Sequence, residues 1–325
     1  MLITLGNLPS DTETDAWHAV VVAAHDHDLP ASVPEPSRVE TAGKLRVPSA
    51  SGRQVHLARV APDGSYEGVA SLLLFAGADN RHTACLSALV VRPDARRHGI
   101  GAELWTAIRA ELTADGRVSV SALLEVGGAA EAFVDSLGFV NVLPLSWYVQ
   151  RVPQALEEVP APVLPDGLRF VDWSGVVPDA HADAFAEARN TMRDAPGGHL
   201  DAVVDRWDAR RVRAAARVVV DRGGEVLTSA VLDGGGAVVA YTEVVLADPT
   251  DTRAVQYDTV VVPDRRGHGL GRAVKRHLLD SLSALRPCVR EISTVVADDN
   301  TTMLAVNESL GYRRERPAGV FQTKL

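Results

Sequence analysis

The strongest constraint on this chain is that it contains itself twice. VVRPDARRHGIG, Val90 to Gly101, returns as VVVPDRRGHGLG, Val260 to Gly271, with Val91, Pro93, Asp94, Arg96, His98, Gly99 and Gly101 each matched 170 residues later. Downstream, SLGF (Ser136 to Phe139) is echoed by SLGY (Ser309 to Tyr312), now 173 residues on. Two motifs repeated in the same order argue for a duplicated domain, and the period is far too long for a solenoid. A length of 325 residues suits two domains. RVPQALEEVPAPVLPDG, residues 151–167, holds four prolines and no sustained period, so it reads as an extended linker. The expected division is an N-terminal domain over 1–150, the linker over 151–167 and a C-terminal domain over 168–325.

Hydrophobic patterning supplies the elements. In the second half LRFVDW, EVLTSAVLD, AVVAYTEVVL and AVQYDTVVVP read as strands, separated by turn-forming DRGG, DGGG and ADPTD. DAHADAFAEARNTM and LDAVVDRWDARRVRAAA read as helices, and Val274, Leu278, Leu282 and Leu285 fall on one helical face. A strand, EISTVVA, a short helix near Asn300–Leu310 and a strand near Phe321 follow. The first half repeats the scheme with DTETDAWHAVVVAAH as a helix, GVASLLLFAG and ACLSALVV as strands, and Leu104, Ile108 and Leu112 on a later helix. Strands joined by tight turns, with helices inserted, predict an α+β fold: a mixed, mostly antiparallel sheet flanked by helices in each half.

A strand that enters a helix through glycines leaves the first-turn N–H groups unpaired and aligned with the helix dipole, which attracts an anion. Arg96 and Arg97, or Arg266 and Arg272, add positive charge. Neither copy carries the Gly-Lys-Ser/Thr ending of a Walker A loop, and neither has the glycine spacing of a dinucleotide fingerprint. Both fit Arg-x-x-Gly-x-Gly: Arg96-Arg97-His98-Gly99-Ile100-Gly101 and Arg266-Gly267-His268-Gly269-Leu270-Gly271.

That pattern, the Val-Val-x-Pro-Asp strand before it and the later Leu-Gly-Phe/Tyr resemble the Gcn5-related N-acetyltransferase (GNAT) superfamily. The resemblance covers most of both halves, in a tandem layout like that of the mycothiol synthases. It implies an acetyl-CoA-dependent N-acetyltransferase acting on the primary amine of a small molecule. The alternatives are a non-catalytic acyl-CoA-binding or regulatory protein and a mycothiol-synthase-like acetyltransferase. It further implies that loop residues Arg266, Gly267, His268, Gly269, Leu270, Gly271 and Arg272 hold the CoA diphosphate, and that Val260, Val261 and Val262 pair with the pantetheine arm. Asn300 and Asn307 sit where the family contacts pantetheine and sulfur. In the first half Val90, Val91, Arg96, Arg97, Gly99 and Gly101 correspond, but Gly127 and Val134 stand opposite Asn300 and Asn307. Many relatives place a tyrosine acid at the Asn307 position; neither half has one. Chemistry is therefore expected in the second half, with the first a degenerate partner. An amine attacks a thioester only when unprotonated, so a base is needed. Glu243 and Asp258, each interrupting an apolar strand, are the candidates, with Asn307 completing the catalytic set. The Val261 or Val262 amide is the expected oxyanion donor, and Tyr241 with Asn190 to His199 the expected acceptor lining.

A net charge of −9 argues against nucleic acid or an anionic membrane as partner. The basic RWDARRVRAAAR reads as a charged outer helix face, and His25 and His27 as a solvated helix end, so no metal is expected. Cys85 and Cys288 are expected as buried thiols. The absence of a signal-like N-terminus and of a membrane-length apolar run leads to the expectation of a cytoplasmic protein.

Overall fold

A computed structural model describes residues 1–194 and 198–325. In chain order the first elements are β1 (Leu2–Thr4), α1 (Asp11–Asp28), α2 (Arg38–Arg46), β2 (Gly52–Val60), β3 (Tyr66–Phe75), β4 (Thr83–Val91), α3 (Ile100–Ala114), β5 (Ser119–Glu125), α4 (Ala129–Ser136) and β6 (Val140–Arg151). There follow α5 (Val152–Glu158), β7 (Arg169–Ser174), α6 (Ala182–Asn190), α7 (Ala209–Asp221), β8 (Glu225–Leu232), β9 (Val238–Leu246), β10 (Arg253–Val261), α8 (Leu270–Leu285), β11 (Glu291–Ala297), α9 (Thr301–Ser309) and β12 (Arg313–Lys324). The α+β class is as the patterning predicts.

The chain forms two compact units, one of residues 1–144, 198–205 and 318–325, the other of residues 145–194 and 206–317. In the first, the strand order is β1-β2-β3-β4-β5-β12; in the second it is β6-β11-β10-β9-β8-β7. Within each sheet one pair is parallel, β4 with β5 and β10 with β11, and the other ladders among the described residues are antiparallel. The units depart from contiguous halves at their sixth strands. Leu145–Arg151 of β6 pairs with β11, while Ala318–Lys324 of β12 pairs with β5. Each sheet is thus completed by a strand from the other half of the sequence.

Two element expectations need correction. The stretch 151–167 begins as helix α5, whose Val152 and Ala155, with the following Val159, are buried in the second unit. Pro153 is tolerated because first-turn N–H groups have no intrahelical partner to lose. Helix α7 starts only at Ala209: Asp208 caps it by accepting from the Arg211 N–H, and residues 202–208 have no regular structure. The two thiols also differ from expectation, Cys85 being half-buried and Cys288 exposed. Burial pushes the Cys85 thiol up to about 11, which disfavours its thiolate at neutral pH.

The core of the first unit packs Leu72, Leu86, Leu104, Trp105, Ile108, Val134, Phe139 and Phe321 together. In the second, Val274, Leu278 and Leu282 of α8 are buried as the helical spacing predicts, but Leu285 of that set is half exposed.

Candidate active site

In the second unit β10 leads through Pro263–Arg265, a single 3-10 turn, to the loop that opens α8. Gly267 and Gly269 take φ of +79° and +75°, a region that L side chains enter at a cost of roughly 1–2 kcal/mol. A Cβ on Gly269 would meet nothing within 4 Å, so the space above the helix start is open. Among the described residues no acceptor takes the backbone N–H groups of residues 267–272, while the Ala273 N–H closes the first helical bond onto the Gly269 carbonyl. Open space, unpaired donors and a sixteen-residue helix behind them make an anion cradle. Arg266 steadies the loop by donating from Nε to the Val261 carbonyl (3.1 Å).

The strands beside the loop separate. β10 pairs with β11 only from Arg253 to Val255, and a bulge at Tyr257–Asp258 breaks its register with β9. Beyond Val255 the two parallel strands fork. Val260 and Val261 remain opposite Tyr241 and Ala240 of β9. The Val262 N–H is committed to the Val239 carbonyl (3.0 Å), which corrects its expected role as an oxyanion donor. That ladder bond was invisible while the end of β9 was unplaced.

Polar side chains gather around the fork in two groups. Arg189 of α6 reaches both candidate carboxylates, with Nη1 3.1 Å from Glu243 and Nη2 2.8 Å from Asp258. Its guanidinium lies 4.1 Å over the Trp207 ring. Burial pushes the Glu243 carboxyl up to about 7, against the pull of Arg189 in the other direction. Tyr241, also buried, has a hydroxyl with no hydrogen-bond partner among the described residues. Asn190 spends its amide on the Trp207 backbone, and the His199 N–H binds the Val142 carbonyl within the first unit. The stretch expected to line the acceptor cleft is thus divided between the two units, and positions 195–197 lie outside the described residues.

The second group lies between α8, α9 and the sheet. Asn307 is 0% exposed, and its Oδ1 accepts from Lys275 Nζ at 2.5 Å. Lys275, 3% exposed, sits 4.5 Å over the Tyr312 ring. The Tyr312 hydroxyl donates to Gln256, whose amide donates to Thr242 (2.6 Å). Asn300 caps α9, accepting from the Met303 N–H (3.1 Å), and Gly311 closes the helix at φ +84°. Sequence reading missed Arg189, Lys275 and Gln256. Gln256 carried a signal, as a polar residue set in an apolar strand, whereas Lys275 stands beside Arg276 and His277 and carried none.

The first unit repeats the backbone but not the side chains. Its loop turns at Arg97 (φ +66°) and Gly99 (φ +81°), and β4 forks from β5 after Cys85. By loop spacing and ladder register, Leu86, Ala70, Ser71 and Ala88 occupy the places of Gln256, Thr242, Glu243 and Asp258. Trp105, Val134 and Phe139 replace Lys275, Asn307 and Tyr312, and all three are buried in that unit's core. Arg96, the counterpart of Arg266, is held bidentately by Asp28 (2.7 and 2.6 Å), which puts a carboxylate beside the loop.

A model of the GNAT acetyltransferases matches residues 32–139 and 186–312, more than half of the chain. The chain belongs to the GNAT acetyltransferase family. It holds two tandem GNAT domains. It is 27% identical over 268 residues to the mycothiol acetyltransferase of Mycolicibacterium gilvum (strain PYR-GCK), which covers 81% of this chain and 82% of that one. The tandem GNAT protein from the clavulanic acid biosynthesis pathway, in a structure without AcCoA, superposes with a TM-score of 0.85 at 23% identity, over 100% of this chain and 98% of that one. A GCN5-related N-acetyltransferase from Sphaerobacter thermophilus follows at 0.69 and 17%, over 99% and 95%. Among the described residues no group of His, Cys, Asp and Glu is arranged to hold a metal ion, and no helix is long and apolar enough to cross a membrane.

Proposed function

We propose that the second unit is an acetyl-CoA-dependent N-acetyltransferase that acylates the primary amine of a small molecule. One observation carries this reading: the open, unpaired loop at the start of α8 adjoins a strand fork ringed by buried polar groups, whereas the matching positions of the first unit hold no charged or amide side chain, only apolar ones and Ser71. Acetyl-CoA supplies the activated acyl group. The N–H groups of residues 267–272 and the helix dipole grip its diphosphate, with Arg266, His268 and Arg272 around them. Val260 and Val261 offer strand edge to the pantetheine, and Asn300 and Asn307 offer amide groups further along.

Glu243 is the general base. An alkylammonium must shed its proton before attack, and a carboxyl near 7 is divided between its two forms at neutral pH, the condition for fast proton transfer. Asp258, less buried and bound to the same Arg189, draws the cationic acceptor toward the fork. Asn307 donates a hydrogen bond but has no titrating proton, so the thiolate, of pKa near 8.5, is protonated by water. The likeness to a mycothiol acetyltransferase supports, as the second reading, a mycothiol-synthase-like acetyl transfer. The first unit serves as scaffold, and the cytoplasm is the expected setting.

The test is calorimetry with acetyl-CoA, followed by CoA-thiol release in the presence of polyamines, amino acids, aminoglycosides and aminoacyl sugars. Tight binding with acceptor-stimulated release is expected. No affinity for any CoA species refutes the reading; binding without release favours a non-catalytic acyl-CoA-binding protein.

A further inference from the structure

Lys275 is a puzzle that the proposed chemistry does not absorb. A fully buried ammonium normally requires a carboxylate, yet the partners of this one are an amide oxygen and an aromatic face. Asn307, which receives it, is left with a buried Nδ2 that donates to nothing among the described residues. An orphaned buried donor costs about 1–3 kcal/mol. The fold does not demand this arrangement, because Trp105, Val134 and Phe139 build the same corner of the first unit from hydrocarbon. The cluster is tied to the fork through Tyr312 and Gln256, and Gln256 is the first residue of β10 past its pairing with β11.

We propose that Lys275 is a positioning residue: by donating to Oδ1 it fixes the Asn307 amide so that Nδ2 presents its N–H groups to the acyl thioester end of acetyl-CoA at the fork. This rests on the reading of the second unit as the acetyl-CoA site. An amide has two orientations that differ only by exchange of O and N, and without Lys275 the oxygen is equally free to face the ligand. A ligand acceptor then meets repulsion instead of a donor. A fixed lysine on the oxygen removes the wrong orientation, since an amine donates in both its protonation states. Burial holds the Lys275 amine down near 7, so it shifts between those states at neutral pH without losing the bond.

The experiment measures two ligands by calorimetry: acetyl-CoA, and adenosine 3′-phosphate 5′-diphosphate, which has the phosphates but no pantetheine or thioester. The proteins are wild type, Lys275→Met, Asn307→Leu, the double variant and Gly269→Val. Lys275→Met and Asn307→Leu are each expected to lose about tenfold in acetyl-CoA affinity, one hydrogen bond's worth, and nothing for the truncated nucleotide, which also certifies that each variant is folded. Because Lys275 acts through Asn307, the double variant loses no more than Asn307→Leu alone. Affinities within twofold of wild type, or losses that multiply in the double variant, overturn the proposal. Gly269→Val reports separately on the site: if it binds both ligands like wild type, the underlying function falls, whatever Lys275 does.

Discussion

Replacing Lys275 with methionine tests the burial of that amine without any ligand. The side chain is 3% exposed, and its pKa falls from 10.5 to about 7. An amine with a depressed folded-state pKa penalises folding fully below that value, and the penalty fades as pH rises toward the unfolded value. At 1.36 kcal/mol per pKa unit the penalty is roughly 4–5 kcal/mol at pH 6 and about 2 kcal/mol at pH 9. Methionine fills similar volume without the charge. Part of the gain is offset by the lost bond to Asn307, about 1 kcal/mol and nearly independent of pH. The decisive quantity is therefore the slope. Urea unfolding of wild type and Lys275→Met, followed at pH 6, 7, 8 and 9, is expected to show an advantage for the variant that shrinks by about 2–3 kcal/mol across the range. All other titrating groups are common to both proteins and cancel in the difference. A difference that is flat with pH would mean that the amine keeps its charge in the folded protein, and the reasoning about this cluster would be wrong.

Gly269→Val puts a β-branched side chain into the open cradle at positive φ. With two charge-assisted bonds lost, acetyl-CoA affinity should fall about a hundredfold, whereas Gly99→Val in the first unit should leave it unchanged; calorimetry decides both. Glu243→Gln should cut acceptor-stimulated CoA release by about 10²-fold or more. It should also abolish the rise in rate through about pH 7 that ionisation of a base with this pKa produces in the wild type; retention of that limb would exonerate Glu243. Arg97→Gly relieves a left-handed residue where the second copy already has Gly267. It should stabilise the protein by about 0.5 kcal/mol in denaturant, relief of strain outweighing the extra freedom of the unfolded chain.

Much of this was legible beforehand. The glycine loops, the strands before them, the cap at Asn300 and the left-handed Gly311 each follow from local chemistry, so sequence spacing located them. Glu243 and Asp258 were picked out as candidates because a carboxylate in an apolar strand needs a reason. Their shared partner was not, because Arg189 comes from a helix far away in sequence and no local pattern joins it to β9. The same holds for Lys275 and Asn307, 32 residues apart and meeting only when α8 and α9 pack. Proline content misled at residues 151–167, where the first turn of α5 absorbs Pro153. The apolar filling of the first unit's fork became visible only once register placed Leu86 and Trp105 at the positions of Gln256 and Lys275.

The exchanged sixth strands bear on how the molecule is made. Residues 318–324 are translated long after β5, yet they are its neighbours in the finished sheet. During synthesis the first unit must wait with an open edge beside β5, a surface prone to sticking. Its closure depends on a segment that emerges only after the second glycine loop has already left the ribosome. A fragment ending near residue 150 would therefore lack a strand and carry a surplus one, so the two halves should express poorly when cut apart at the proline-rich join.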